Sequence, residues 1–478
     1  MNRREFLAAC GGALPAAAAP GKLNFVFLLF DDLGWADVGF QGSDFYETPH
    51  IDRLASQGMR FSNGYAACPV CSPTRASIMT GKYPARLRLT NFIPGRQTRR
   101  YARVLAPEFR QELPLEEVTI AEALREAGYL AASFGKWHLG AGATYLPDKQ
   151  GFQTPPFSTG GRHLFPNWNV NPPHKPREGE DRVDRITAEG ERFLEQNRER
   201  PFFLYLPHHL PHIPLEARRE LIAKYTAKLD SPKFRARREV RTPAQNDPRY
   251  AAMIENADQA VGRILRKLDD LKLSDRTVVV FTSDNGGLSA PEFENRPATS
   301  NAPLREGKGH VYEGGIRVPF VVRWPGVTKA GATCETPVSS VDFYPTMLEI
   351  AGAPDVAGHA PDGVSIVPLL RGGRLRRDAL YWHYPHYSNQ GGTPAGAVRQ
   401  DRFKLIEFYD DNHVELYDLA KDIGERNNLA RKMPERASAM REMLDGWRRS
   451  VNADMPKPNP AYDPRRELEG LRWITPAK

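Results

Sequence analysis

The chain is short of several things. Cysteine occurs at only four of 478 positions, Cys10, Cys68, Cys71 and Cys334. That is too few for a disulfide framework. No stretch reaches the roughly eighteen consecutive apolar residues of a membrane-spanning helix, so no stable span is expected. Zinc-finger spacing and the aromatic motif of RNA-binding sheets are both missing, and the basic residues are scattered among acids. Nucleic acid is therefore not expected as a partner. Internal repeats are absent too.

What is present is an ordinary globular composition, 40% hydrophobic and 26% charged. The length allows a large core and suggests two domains. A formal net charge of +8 suits an anionic substrate. Residues 1–20 read as a targeting segment. Asn2-Arg3-Arg4-Glu5-Phe6-Leu7 looks like a twin-arginine export signal, an Ala/Gly-rich run follows, and a small-residue cleavage site falls near Ala18. Leu7-Ala8-Ala9-Cys10 mimics a lipoprotein box, but almost no apolar run precedes it. The expected location is a bacterial periplasm or beyond.

Two apolar runs, 23–30 and 277–282, read as strands buried on both faces. The first ends in Asp31-Asp32 and the second in Ser283-Asp284-Asn285-Gly286-Gly287. Open α/β sheets bind ligands at the carboxyl ends of their strands. Either pair alone reads more readily as a solvated turn; their repetition favours a metal site. Asp31, Asp32, Asp284 and Asn285 offer only oxygen, which selects a hard cation, Ca²⁺ or Mg²⁺.

Cys71-Ser72-Pro73-Thr74-Arg75-Ala76-Ser77-Ile78-Met79-Thr80-Gly81 puts a cysteine at the start of a short helix. Pro73 suits the first turn and Gly81 the stop. Position 71 then faces free N–H groups at the positive end of the helix dipole. Arg75, one turn on, adds charge to the same face. A buried structural cysteine also explains this pattern taken alone, and Cys68-Pro69-Val70-Cys71 formally reads as a C-x-x-C redox pair. In Gly135-Lys136-Trp137-His138-Leu139-Gly140 the Lys136 and His138 side chains point the same way on an extended backbone, toward water or toward a site. The strand 201–206 leads to His208, His209 and His212. Adjacent His208 and His209 diverge on an extended chain, and no Cys or carboxylate is nearby in sequence, so a transition-metal cluster is not expected. Lys308 sits between Gly307 and Gly309, on backbone that can approach a ligand closely, although the G-x-x-x-x-G-K-[ST] phosphate loop is not met.

The Cys71-x-Pro73-x-Arg75-Ala76-x-x-x-Thr80-Gly81 string resembles the type I, formylglycine-dependent sulfatases of the alkaline-phosphatase superfamily. Ordered motifs extend the resemblance over residues 22–430. It implies an α/β fold, an alkaline-phosphatase-like sandwich with a central, mostly parallel sheet, plus a smaller C-terminal α+β domain with an antiparallel sheet. The implied division is 21–373 for catalysis and 374–478 for the C-terminal subdomain and tail, with a boundary near Leu370 to Arg377. The resemblance further implies that a maturation enzyme reads Cys71, Pro73 and Arg75 and oxidises Cys71 to formylglycine. Asp31, Asp32, Asp284, Asn285 and residue 71 would hold Ca²⁺. Lys136, His138 and Lys308 would touch the sulfate, and Arg75 would keep residue 71 and the metal in register. Lys308 or His212 would protonate the leaving group, and His138 would take the later proton. Glu313 and Arg317 would form a structural pair.

The implied substrate is a sulfated carbohydrate or an aryl sulfate. Two rivals stand beside it, a phosphonate or phosphate-diester hydrolase of the same superfamily and a non-catalytic binder of sulfated glycans. Residues 91–115 read as an Arg-rich loop at the rim, 215–245 as a charged helix and loop, and 341–351 as a strand followed by a helix. Antiparallel strands are expected from Ala397 to Tyr417 and a helix from Pro434. The run Tyr381-Trp382-His383-Tyr384-Pro385-His386-Tyr387 suits either a sugar subsite or an aromatic seam. Spacing does not decide whether Cys68 pairs with Cys334.

Overall fold

The computed structural model describes residues 21–96, 99–154, 157–160, 169–171, 180–292 and 296–469. Residues 1–20, expected to be an export segment, lie outside them. A nine-stranded, mostly parallel sheet runs in the order Thr333–Cys334, Met59–Phe61, Phe320–Arg323, Thr277–Ser283, Asn24–Asp31, Phe202–Pro211, Leu130–Gly135, Phe157–Gly160, Asn169–Asn171. The Asn24–Asp31 strand lies between two parallel neighbours and is buried along its whole length.

Alternation along that strand sorts its side chains into two cores. Val26, Leu28 and Phe30 pack with Ile186, Val261 and Ile264 of the helices Arg182–Asn197 and Pro248–Asp270. Phe25, Phe27 and Leu29 pack with Ile78, Leu124 and Phe343 on the opposite face. Burial on both faces explains the continuous apolar runs. Register then places the acids. Phe30 pairs with Ser283, so Asp31 and Asp284 leave the sheet side by side. Asp31 is also opposite Pro211, which brings His212 to the same end.

A separate four-stranded antiparallel sheet comprises Leu380–Tyr384, Ala395–Gln400, Phe403–Phe408 and Val414–Asp418. The helix Pro434–Ser450 packs on it through Met440 and Leu444. The first four residues of the aromatic run, Tyr381 to Tyr384, lie in the edge strand of this sheet and form a seam. Tyr381 stacks on Trp447 with centroids 4.9 Å apart, and Trp382 Nε1 donates to the Ala66 carbonyl at 2.8 Å. Tyr384 and His386 are buried as well.

Val341 is not in a strand. Ser339 and Asp342 cap each other reciprocally, which starts a 3₁₀ turn at Ser340 and then the helix Phe343–Ala351. The short strand there is Val338–Ser339. No helix among the described residues is long and apolar enough to cross a membrane.

Candidate active site

The carboxyl ends of the two central strands bring the predicted oxygens together. Asp31, Asp32, Asp284 and Asn285 are all buried. One ligand atom each from Asp31, Cys71 and Asp284 lies within 4.8 Å of the others, and the same holds for Asp31, Asp32 and His212. Asn285 Nδ2 donates to Asp32 Oδ1 at 2.8 Å, and the Asn285 amide oxygen is buried without a donor. Asp31 Oδ1 is likewise a buried acceptor with no donor.

Crowding these acids has an electrostatic consequence. Burial and then the Asp31 charge push Asp284 up to about 7. Burial alone would raise Asp31 too, but Lys136, His212, Arg75 and Lys308 hold it well below the usual carboxylate range. Orphaned oxygens and mutually repelling carboxylates are what a hard divalent cation relieves, so the residues fit the metal that the sequence motifs imply.

Cys71 opens the helix Cys71–Thr80, with Val70 extended before it and Gly81 left-handed (φ 70°) after it. Burial pushes its thiol up to about 11. The side chain is therefore a neutral thiol near neutral pH and a poor nucleophile as it stands. Arg75 is fully buried; its Nε donates to Asp284 Oδ2 at 2.8 Å and its NH1 to the Lys136 carbonyl at 2.6 Å.

Four more predicted residues ring the cluster. Lys136 Nζ is 2.5 Å from Asp31 Oδ2, and Lys308 Nζ is 2.8 Å from Asp32 Oδ2. Although burial opposes it, these carboxylates hold both ammonium groups above the usual lysine value. His212 Nε2 is 3.7 Å from Asp32 Oδ2, and its Nδ1 bonds the Ile213 carbonyl at 2.6 Å. Burial, then Lys308, lowers its pKa.

His138 differs from the extended geometry expected for it. It has φ 60°, and its Nε2 is taken by the Ile93 carbonyl at 2.6 Å. The left-handed turn rotates the ring away from simple alternation with Lys136. Nδ1 stays buried without a partner, and burial followed by Lys136 keeps the ring neutral.

His208 and His209 are held by packing and not by the cluster: His208 stacks on Phe30 at 5.1 Å, and His209 pairs with Arg182. Cys68, Cys71 and Cys334 are all free thiols, so Cys68 and Cys334 do not pair. Arg317 Nε donates to Glu313 Oε2 at 2.7 Å, as expected.

A supporting layer has no sequence motif. Asp37 accepts from Gly34 N, Tyr250 OH and Thr299 Oγ1 at 2.6–2.9 Å. Asn301 Nδ2 donates to the carbonyls of Gly287 and Glu306, at 2.9 and 3.0 Å. Together they brace the loops behind Asp32, Asn285 and Lys308. Burial raises Asp37 to about 6. Only the Gly-rich spacing around them hinted at such close packing: a Cβ on Gly286 would lie 1.8 Å from the Gly314 carbonyl oxygen.

The chain is similar to known proteins over most of its length. The chain is similar to a sulfatase of Formosa agariphila, 32% identical over 90% of each chain. It is 34% identical to the N-acetylgalactosamine-6-sulfatase of Homo sapiens, over 77% of this chain and 69% of that protein. The solved structure of Ps i-CgsB in complex with k-i-k-neocarrahexaose superposes with a TM-score of 0.76 at 28% identity, over 94% of this chain and 96% of the other. The C-terminal family of N-sulphoglucosamine sulphohydrolase matches residues 307–449. The Sulfatase family matches residues 23–353, and the chain belongs to that family of sulfuric ester hydrolases.

Proposed function

We propose that this protein hydrolyses sulfate monoesters on carbohydrate, using formylglycine made from Cys71 and a bound Ca²⁺, with Mg²⁺ as the lesser alternative. The observation that carries the reading is the convergence of Asp31, Asp284 and residue 71 within 4.8 Å at the ends of adjacent strands. A thiol is a poor ligand for a hard cation, whereas an oxygen at the same position suits one. The position therefore makes chemical sense once its sulfur is replaced by oxygen. Sulfated carbohydrate is supported by the sugar bound to the similar solved structure and by the name of the human relative. The division of labour that goes with it is 21–373 for catalysis and 374–478 for the C-terminal part.

Asp31, Asp32, Asp284 and Asn285 would hold the cation. When bound, it polarises sulfate oxygens and lowers the pKa of a nearby hydroxyl. As its hydrate, formylglycine would supply one hydroxyl to displace the sugar oxygen from sulfur and a second whose deprotonation would expel the sulfate and restore the aldehyde. The remaining work belongs to the side chains. Lys136 and Lys308, held by Asp31 and Asp32, would neutralise the sulfate oxygens from fixed positions. Lys308 or His212 gives a proton to the leaving oxygen, a step worth on the order of 10²–10⁴-fold. His138, neutral and with Nδ1 unpartnered, takes the proton when the enzyme is regenerated. Arg75 keeps Asp284 and the helix tip in register.

The test pairs mass with turnover. The tryptic peptide spanning residue 71 is expected to carry an aldehyde that reacts with hydrazide. The protein should hydrolyse an aryl sulfate and a monosulfated sugar, and Cys71→Ala and Cys71→Ser should both lose turnover. An unmodified thiol in fully active protein, or an alanine variant matching wild type, overturns the proposal.

A further inference from the structure

We propose, resting on the sulfated-carbohydrate reading above, that the arginines of segment 99–110 form a binding strip for the sulfated polysaccharide chain beyond the ester being cut. The strip begins at the site. The Ile93 carbonyl bonds His138 Nε2, and the Ile93 N–H donates to Ser72 Oγ at 3.1 Å, one residue from Cys71. From there the chain runs outward past Arg96, whose NH1 donates to Asn389 Oδ1 at 3.0 Å on the rim. It then carries Arg99, Arg100, Arg103 and Arg110 with a single acid, Glu108, among them.

These arginines differ from Arg75, Arg218 and Arg263, which sit directly against carboxylates. Among the described residues, none of the four has a carboxylate within 4.0 Å. Asp410, Asp411 and Glu467 face Arg99 and Arg103 only at longer range.

Aromatic rings lie beside three of them. The Arg99 guanidinium lies 4.1 Å from the Tyr387 ring centre, and that of Arg103 lies 5.3 Å from Tyr462. Arg100 and Arg466 approach Tyr101 at 5.3 and 3.7 Å. Stacking orients a guanidinium and leaves its N–H fork free for an anion.

The backbone beneath is fixed as well. Asn459 Nδ2 donates to the carbonyls of Arg100 and Ala102 at 3.0 and 2.7 Å, and Val104–Leu105 pairs with Lys457–Pro458. Arg99 NH1 donates to the Glu467 carbonyl and Arg103 NH2 to the Tyr462 hydroxyl, both at 3.2 Å, so each is ordered by a neutral acceptor and keeps further N–H groups for an anion. Such an ordered row loses little freedom on binding. Its complement is an extended chain with anionic groups at intervals and hydroxyls between, that is, sulfate esters on successive sugars. A compact aryl sulfate bound at residue 71 would reach none of it.

Affinity of the full-length protein for dextran sulfate is measured at two salt concentrations. Arg99→Ala/Arg100→Ala/Arg103→Ala is compared with a control triple in the other basic stretch, Arg235→Ala/Arg238→Ala/Arg241→Ala. The strip variant is expected to bind roughly 10–100-fold more weakly with a shallower salt dependence, and the control within about threefold of wild type. The triple lysine variant, which keeps the charge, should recover most of the affinity and separates charge from misfolding. Equal losses in both alanine triples, no binding by wild type, or equal affinity for single-stranded DNA of matched charge each overturns the strip. Failure to hydrolyse any sulfate ester while dextran sulfate still binds would overturn the catalytic reading and not this one.

Discussion

Arg75 and Asp284 are joined twice: both Nε and NH2 of the arginine lie 2.8 Å from Oδ2 of the aspartate, and neither side chain is exposed. Water screens neither charge, so each depends on the other. Deleting one partner of such a pair leaves an uncompensated buried charge. Arg75→Met is expected to cost about 3–5 kcal/mol of stability, read from urea unfolding. A loss below about 1 kcal/mol would remove Arg75 from the role assigned to it.

Cation binding should be visible without any turnover. Adding Ca²⁺ to EDTA-treated protein is expected to raise its stability by about 2.7 kcal/mol at a hundred times the dissociation constant. Mg²⁺ should do less, because it tolerates an irregular all-protein cage poorly. Asp284→Asn is expected to abolish the rise in melting temperature. If Ca²⁺ leaves the wild-type melting curve in place, the oxygen cluster is not a cation site.

His208 offers a pH test outside the catalytic cluster. Burial lowers its pKa to about 3, and neither ring nitrogen has a hydrogen-bond partner. The unfolded state takes up a proton near pH ~6.5 while the folded state does not. Its stability contribution is therefore complete above that pH and is lost as pH falls toward the folded value. Replacing the ring by His208→Phe removes this loss. Relative to wild type, the variant should gain about 2 kcal/mol between pH 7 and pH 5, measured by urea unfolding at both. A constant gap between the two proteins would contradict it.

Lys404 and Arg402 are neighbours on one strand turn with opposite environments. Lys404 is fully buried, 3.0 Å from Glu313 and 2.9 Å from Glu425. Arg402 is half exposed in its contact with Asp418. Lys404→Met should cost about 3–5 kcal/mol, and Arg402→Ala no more than about 1 kcal/mol. Thermal melts of the two variants with similar midpoints would refute that ranking.

Strands 24–31 and 277–283 were legible because burial on both faces writes itself as an unbroken apolar run. Their terminal acids were legible because two strands repeat one pattern. Cys71, Arg75 and Lys308 were legible through motif identity, and the register of Phe30 with Ser283 turns those separate motifs into one cluster. The Asp37 brace was not legible, since its partners Thr299 and Tyr250 lie far away in sequence and follow no period. Nor was the His138 turn, because a positive φ at a non-glycine residue leaves no compositional trace. The Tyr381–Tyr387 run stayed open until cross-strand pairing made Tyr381 to Tyr384 an edge, since buried and sugar-facing aromatics look alike in a single chain.

Cys71 is 2% exposed, at the head of a helix whose ten residues are all buried. Under the proposed reading, an enzyme that oxidised Cys71 would need Cys71, Pro73 and Arg75 within its own cleft, and the closed chain presents none of them. Conversion would then have to precede closure of this helix into the core, and a molecule that folded first would keep its thiol.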